Sequence, residues 1–210
     1  MSGIRQRKKA ETRARISTVG TFLFAQYGFD NVTMTQIADA AGVSRMTVFN
    51  YFPRKEDIFF DRRPEMHAML AKAIGERPRG ATVLQSLRAL LVGLLSRGHP
   101  FIAVTPGVAG FWKVVADSDA LRRSAYELLE ELHDGVAASL AKAAGLPARD
   151  PTATLAAAMF LTVHRTAYED ALRRVRAGES IETVRRRQRE LVTKGFDMLE
   201  RALARTPFAR

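Results

Sequence analysis

Cysteine is absent from the 210 residues. Disulfide staples, thiolate zinc sites and cysteine nucleophiles are excluded with it. Acidic side chains are scarce relative to basic ones, 22 against 33, leaving a net charge of +11. A balance that basic favours polyanionic partners, either nucleic acid or an anionic membrane surface, although a solvated arginine-rich surface gives the same sum. Long apolar runs are missing too. The most apolar stretch, TLAAAMFLTVH at 154–164, is too short to span a bilayer. The basic opening, MSGIRQRKKAETRAR, is followed by no apolar core of the kind a signal peptide needs. The expectation is a cytoplasmic protein with no membrane partner.

The signatures of catalysis are also lacking. The four histidines, His67, His99, His133 and His164, show no HExxH spacing, and there is no nucleophile elbow, glycine-rich phosphate loop or CxxC. Helical bundles can hold two metals through two ExxH pairs, but Glu130 and His133 form only one. The chain is not expected to be an enzyme, and no metal or cofactor is expected.

What is present is helical periodicity. Leu121, Ala125, Leu128, Leu132, Val136 and Leu140 recur every three or four residues, as do Ile181, Val184, Gln188, Leu191, Gly195, Leu199 and Ala202. No stretch alternates long enough to make a strand. Gly28, Gly42 and Pro53 punctuate three helices, the first starting near Ala10. A long helix is predicted over 56–74, followed by a turn-rich break at 75–81. Further helices are predicted at 82–97, 101–116, 118–144, 152–177 and 181–204, with the TPG at 105–107 breaking or kinking the second of these. The pattern predicts an all-α fold of about nine helices: an N-terminal three-helix head followed by an antiparallel helical bundle.

The densest local signal is TMTQIADAAGVSRMTVFNYFPRKED, 33–57. Thr33 followed three residues later by Gln36 is a capping box that opens a helix. Ile37, Ala38 and Ala41 face inward, Gly42 supplies a left-handed turn, and Ser44 caps the next helix. Two short helices joined by a tight glycine turn form a helix-turn-helix, whose second helix can enter a major groove with its N-terminal residues leading.

This stretch, with the preceding FLFAQYGFDNVT, resembles the signature of TetR-family transcriptional regulators, with high specificity over residues 10–60. Beyond those residues the resemblance extends only to helix number and length. Val48 and Phe52 are expected inside, while Arg45, Met46, Thr47, Phe49, Asn50 and Tyr51 offer side chains to DNA. Arg45 carries a planar donor fork that fits guanine O6 and N7, and a phosphate is its alternative. Met46 brings apolar bulk suited to a thymine methyl. Thr47 suits either phosphate or base. Tyr51 matches a phosphate-contacting position of the family, Asn50 stands where another residue is more frequent, and packing on the first helix is the alternative for Phe49 and Tyr51. Lys55, at a helix N-terminus, and Thr33 are candidates for phosphate. With Ser44 these residues complete the candidate DNA surface. Arg5, Arg7, Lys8 and Lys9 suggest a basic arm over 1–9.

The expected division is a DNA-binding domain over 1–55 and a second domain over 56–210, with 56–74 as the linking helix. The resemblance implies that the second domain binds an effector and forms a homodimer on a palindromic operator. Leu155, Met159, Val163, Leu172, Leu191, Gly195, Phe196 and Leu199 are the candidate interface, with closure of the monomer's own core as the alternative. Phe101, Val104, Phe111, Trp112, Tyr126, Met159, Phe160, His164 and Tyr168 are the candidate lining of an effector cavity for an apolar or amphipathic small molecule. The run Arg185, Arg186, Arg187 and Arg189 reads as a solvated face, with a second polyanion site as the alternative. The implied function is a sequence-specific regulator, in the family most often a repressor released by its ligand. A ligand-independent architectural protein using the same head is the other class.

Overall fold

The computed structural model describes residues 2–209. Ten α-helices are present among them: α1 (Ser2–Tyr27), α2 (Met34–Ala41), α3 (Arg45–Tyr51), α4 (Lys55–Phe59), α5 (Arg63–Gly75), α6 (Val83–Ser96), α7 (Pro106–Asp117), α8 (Asp119–Ala143), α9 (Pro151–Arg176) and α10 (Ile181–Ala202). A 3-10 turn, Pro207–Ala209, follows. The all-α expectation holds, and no strand occurs among the described residues.

Three boundaries differ from those predicted, each for a local reason. First, α1 begins at Ser2 rather than near Ala10, so Arg5, Arg7, Lys8 and Lys9 are helical instead of forming an irregular arm; Met1 lies outside the described residues. An Arg7–Glu11 pair at 2.9 Å, one turn apart, supports this end of the helix. Second, the helix predicted over 56–74 is two helices. The ladder of α4 stops at Phe60, and Pro64 falls in the first turn of α5, where its missing N–H costs nothing. Third, the TPG at 105–107 does not kink a helix beginning at 101. Pro106 opens α7 instead, and Thr105 Oγ1 accepts from the Val108 N–H.

The chain divides into two compact units. The first comprises Met1–Arg63 and Gly110–Tyr126. It therefore runs past the boundary expected after Lys55 and takes in a later segment that sequence order does not suggest. Its core is aromatic: Phe24 and Phe29 lie 4.9 Å apart, and Phe59 stacks on Phe111 at 4.4 Å. Ile16, Gly20 and Phe24 make the inward stripe of α1, one residue per turn. Ser118 is buried and donates to Asp30 at 2.8 Å.

The second unit comprises Pro64–Ala109 and Glu127–Arg210. Its core gathers Leu84, Leu87 and Leu91 of α6, Leu132 and Leu140 of α8, Phe160 of α9 and Phe196 of α10. Complete burial of a side chain such as Phe160 or Phe196 stabilises by about 1.5–3 kcal/mol. α9 and α10, joined by the short 177–180 turn, pack along their length.

Candidate nucleic-acid interface

The predicted helix-turn-helix is built as its sequence dictates. Thr33 Oγ1 accepts from the Gln36 N–H at 3.2 Å, and Gln36 Oε1 accepts from the Thr33 N–H at 2.8 Å. Gly42 ends α2 at φ 63°, the left-handed conformation in which a side chain is strained. Ser44 then caps α3, accepting from the Thr47 N–H at 3.1 Å.

Helical geometry sorts the residues of α3 by face. Val48 is fully buried, as is Phe52 one turn on, and the pair fixes the helix to the head. Arg45, Met46, Phe49 and Asn50 lie on the opposite side and are exposed, Met46 at 69%. An exposed methionine beside an exposed phenylalanine is a poor solvent surface and a good one for base edges and thymine methyls. Arg45 stands over the Phe49 ring, 5.4 Å from its centroid, which limits the guanidinium's freedom without consuming its donors. Thr47 is half-buried, its hydroxyl 2.8 Å from that of Ser44. Both hydroxyls serve the cap, and Thr33's serves its own.

Tyr51 is half-buried, and its carbonyl accepts from Arg13 Nη1 at 3.2 Å. Arg13 was not singled out from sequence. It clamps the far end of α3: its guanidinium lies 4.3 Å over the Phe52 ring and pairs with Asp61. The only signal for it was a cation on the inward side of an otherwise apolar helix stripe.

Lys55 is placed differently from the phosphate role expected of it. Its Nζ donates to the carbonyls of Phe29 at 2.7 Å and Val32 at 2.9 Å and sits 4.2 Å over the Phe29 ring. The ammonium satisfies the turn between α1 and α2, so it does not point outward. Burial lowers its pKa from the ordinary lysine value, with Asp30 and Glu56 opposing that shift.

The candidate effector residues are divided between the two units. Phe111, Trp112 and Tyr126 belong to the first unit, whereas Phe101, Val104, Met159, Phe160, His164 and Tyr168 belong to the second. Tyr126 is 71% exposed and lines no interior. Val104 and Phe160 are fully buried core side chains. Phe101, His164 and Tyr168 form a stack, with ring centroids 4.5 Å and 5.8 Å apart, and His164 Nε2 donates to the Phe101 carbonyl at 2.7 Å. Burial lowers the His164 pKa, and the bond to Phe101 opposes the shift.

The candidate interface residues divide as well. Phe196 and Leu199 are buried in the unit's own core, and so are not an outward face. A Cβ at Gly195 would lie 2.6 Å from Val163 Cγ1, so the close approach permitted by Gly195 is between α10 and α9 of the same chain. Of the candidates Leu155 is exposed, at 58%, and Met198, which was not among them, is exposed to the same extent.

Residues 18–61 match the family model described as bacterial regulatory proteins, tetR family. TcmR of Streptomyces glaucescens, an HTH-type transcriptional regulator, is 30% identical over 95 residues, covering 45% of this chain and 42% of TcmR. MftR of Mycobacterium tuberculosis is 42% identical over 52 residues, 25% of this chain and 26% of MftR. The chain thus matches less than half the length of either relative. Solved structures extend the likeness in fold. NalD of Pseudomonas aeruginosa, the secondary repressor of the MexAB-OprM multidrug efflux pump, superposes with TM-score 0.57 at 18% identity, over 89% of this chain and 97% of NalD. GusR of Salmonella enterica gives 0.57 at 20% identity, over 90% of this chain and 94% of GusR. FadR of Thermus thermophilus, a repressor solved with lauroyl-CoA, gives 0.50 at 25% identity, over 87% of this chain and 94% of FadR.

Residues 18–61 carry the helix-turn-helix described by the tetR family model, and the chain has the fold of solved regulators of that family such as FadR. No helix among the described residues is long and apolar enough to cross a membrane.

Proposed function

We propose that the protein is a sequence-specific transcriptional regulator that binds a palindromic operator as a homodimer, one α3 per half-site, and represses by occupying a promoter. The observation that carries this is the two-sided construction of α3. Val48 and Phe52 lock the helix from within while Arg45, Met46, Phe49 and Asn50 are held out together at its leading end. A surface serving only nonspecific attraction needs charge, not an ordered apolar and guanidinium face. The working division is a head extending to Arg63 and a C-terminal unit for effector and dimerisation.

Release by a small apolar or amphipathic ligand is the regulatory half of the proposal. The lauroyl-CoA held by FadR supports that ligand class. Phe101, His164, Tyr168 and the half-buried Met159 are the wall such a ligand would meet, and it must part the ring stack to enter. The same packing favours the second class, a ligand-independent DNA-binding protein, because the rings already fill one another's space. A ligand acts only by binding the DNA-incompetent state better. α7 and α8 each contribute residues to both compact units. Leu155 and Met198 are among the exposed apolar positions from which a second copy would be held.

Selection of bound fragments from a random DNA library, near physiological salt, tests the proposal. A palindrome of two equivalent half-sites, bound by two copies of the chain, is the expected result. Absence of an enriched motif, with binding that vanishes as salt rises, would leave only the basic charge and overturn it.

A further inference from the structure

One run of the sequence has no part in the functions described above: Arg185, Arg186, Arg187 and Arg189 on α10. The fold brings three of these four to one concavity. Arg185, Arg186 and Arg189, with Leu95 and Ser96 at the end of α6, line a cleft of about 360 Å³ within the C-terminal unit. We propose that this cleft is a binding site for an oxyanion, the phosphoryl group of a small organic molecule.

Charge is the first argument. No carboxylate lies within ion-pair distance of Arg185, Arg186 or Arg189 among the described residues. The nearest acids in sequence, Glu182 and Glu190, are exposed and unengaged with them. Three guanidiniums gathered without counter-charge repel one another; Arg186 and Arg189 are exposed and screened by water, and the repulsion is felt most at the half-buried Arg185. The carbonyl end of α6 offsets part of it, because the C-terminal end of a helix dipole attracts cations.

Hydrogen bonding is the second argument, and the helix dipole does not answer it. Arg185 Nε is buried and has no hydrogen-bond partner. A buried donor on a permanent cation is costly to leave unmade; an anion in the cleft neutralises the Arg185 charge through the part of the guanidinium that lines it, and reaches Nε only if the side chain turns toward it. The site is ordered on both sides. Arg189 Nη2 donates to Ser96 Oγ at 2.8 Å. Gly98, at φ 69°, lies close beneath Arg185: a Cβ there would stand 3.0 Å from Arg185 Nη2. The loop after α6 thus leaves room for this guanidinium where a larger residue would displace it.

Shape identifies the ligand class. Arginine's planar fork engages phosphate through paired N–H bonds, which a lysine cluster does not reproduce. The volume is at the lower end of small-molecule sites, roughly 300–1,000 Å³. Leu95 adds an apolar wall to the charged one. A phosphoryl group with a small apolar substituent fits these surfaces. Duplex DNA, a broad convex surface, does not require a concavity.

The test uses the full chain with inorganic phosphate, pyrophosphate and phenyl phosphate as probes, at fixed ionic strength set with chloride. Binding is followed by calorimetry and by the Nε–H resonance of Arg185. The expected result is saturable binding of pyrophosphate and phenyl phosphate with a shift of that resonance. R185Q and R189Q should each weaken it by roughly tenfold or more, as loss of a charge-assisted contact implies, while R176Q, at the exposed end of α9, should leave it unchanged. Circular dichroism of each variant reports whether the fold is kept. Should a variant unfold, the Arg185 resonance in the unaltered chain still decides the matter. Tighter binding of phenyl phosphate than of inorganic phosphate would assign a role to Leu95. No saturable binding, or an equal loss in R176Q, overturns the proposal. So does a loss of duplex-DNA affinity in R185Q and R189Q with phosphate binding intact, which would make the cleft part of a DNA surface.

Discussion

Lys55 Nζ lies 2.7 Å from the Phe29 carbonyl and 4.2 Å above the Phe29 ring, so one cation caps a turn and stacks on the residue that forms it. The relationship separates two roles that a lysine at a helix N-terminus can have. A phosphate contact would contribute to the salt dependence of DNA binding. An internal cap would contribute to the stability of the head. Lys55→Met keeps the stem and removes the donor, taking the ammonium from the Val32 carbonyl and leaving the Phe29 carbonyl with only the Val32 N–H at 3.3 Å. The expected cost is about 1–3 kcal/mol in urea unfolding, read in the head. The slope of log affinity against log salt should be unchanged, whereas loss of a phosphate contact lowers it by about 1.

Gly195 and Val163 set how closely α10 approaches α9. Alanine at 195 is favoured by helix propensity by about 1 kcal/mol. Its Cβ would nonetheless meet Val163 Cγ1 at 2.6 Å, and a β-branched side chain in a helix has little rotamer freedom to yield. Overpacking of this kind costs about 1–3 kcal/mol, so net destabilisation is expected. In a double-mutant cycle, Val163→Ala should restore much of the stability that Gly195→Ala removes. Additive losses would place the clash elsewhere.

His164 gives the C-terminal unit an acid-side weakness. Burial lowers its folded pKa below the ordinary histidine value of 6.5. Above that pH the ring is neutral in both states and no stability is lost. As pH falls through 6.5 the unfolded chain takes up a proton that the folded chain refuses, so stability drops until pH reaches the folded pKa. Chemical denaturation at a series of pH values should show this loss in the unaltered chain. His164→Gln, which can still donate toward the Phe101 carbonyl, should flatten it. An unchanged slope in that variant would assign the acid sensitivity to other groups.

Gly20 stands where α1 meets α4, and a Cβ there would lie 2.5 Å from Ile58 Cγ2. Gly20→Ala should therefore weaken the head by about 1–3 kcal/mol despite the better helix former. Thermal unfolding of the variant checks this, and a rise in midpoint would contradict it.

The parts of the molecule legible in sequence are those fixed by neighbours along the chain. The Thr33–Gln36 box, the left-handed Gly42, the Ser44 cap and the inward Val48 all follow from spacing of four residues or fewer, and all stand as expected. Lys55 could not be placed that way, because its partners lie more than twenty residues back and its charge gave no direction. The inclusion of 110–126 in the first compact unit rests on the Phe59–Phe111 stack and the Ser118–Asp30 bond, both long-range. Gly195 was legible as a point of close approach, but nothing local told whether the approaching helix came from the same chain. The aromatic candidates for the effector wall shared only helical spacing, a property of core and pocket alike, and the fold distributes them over two units.

The role of α3 is tested most directly by measuring unaltered and Arg45→Ala protein on a selected operator and on each of its single-base variants, at one salt concentration. Base reading by Arg45 predicts a loss of about 1–3 kcal/mol concentrated at one position per half-site, where the variant protein no longer discriminates. A uniform loss across all sequences would show that Arg45 holds the phosphate backbone and reads no base.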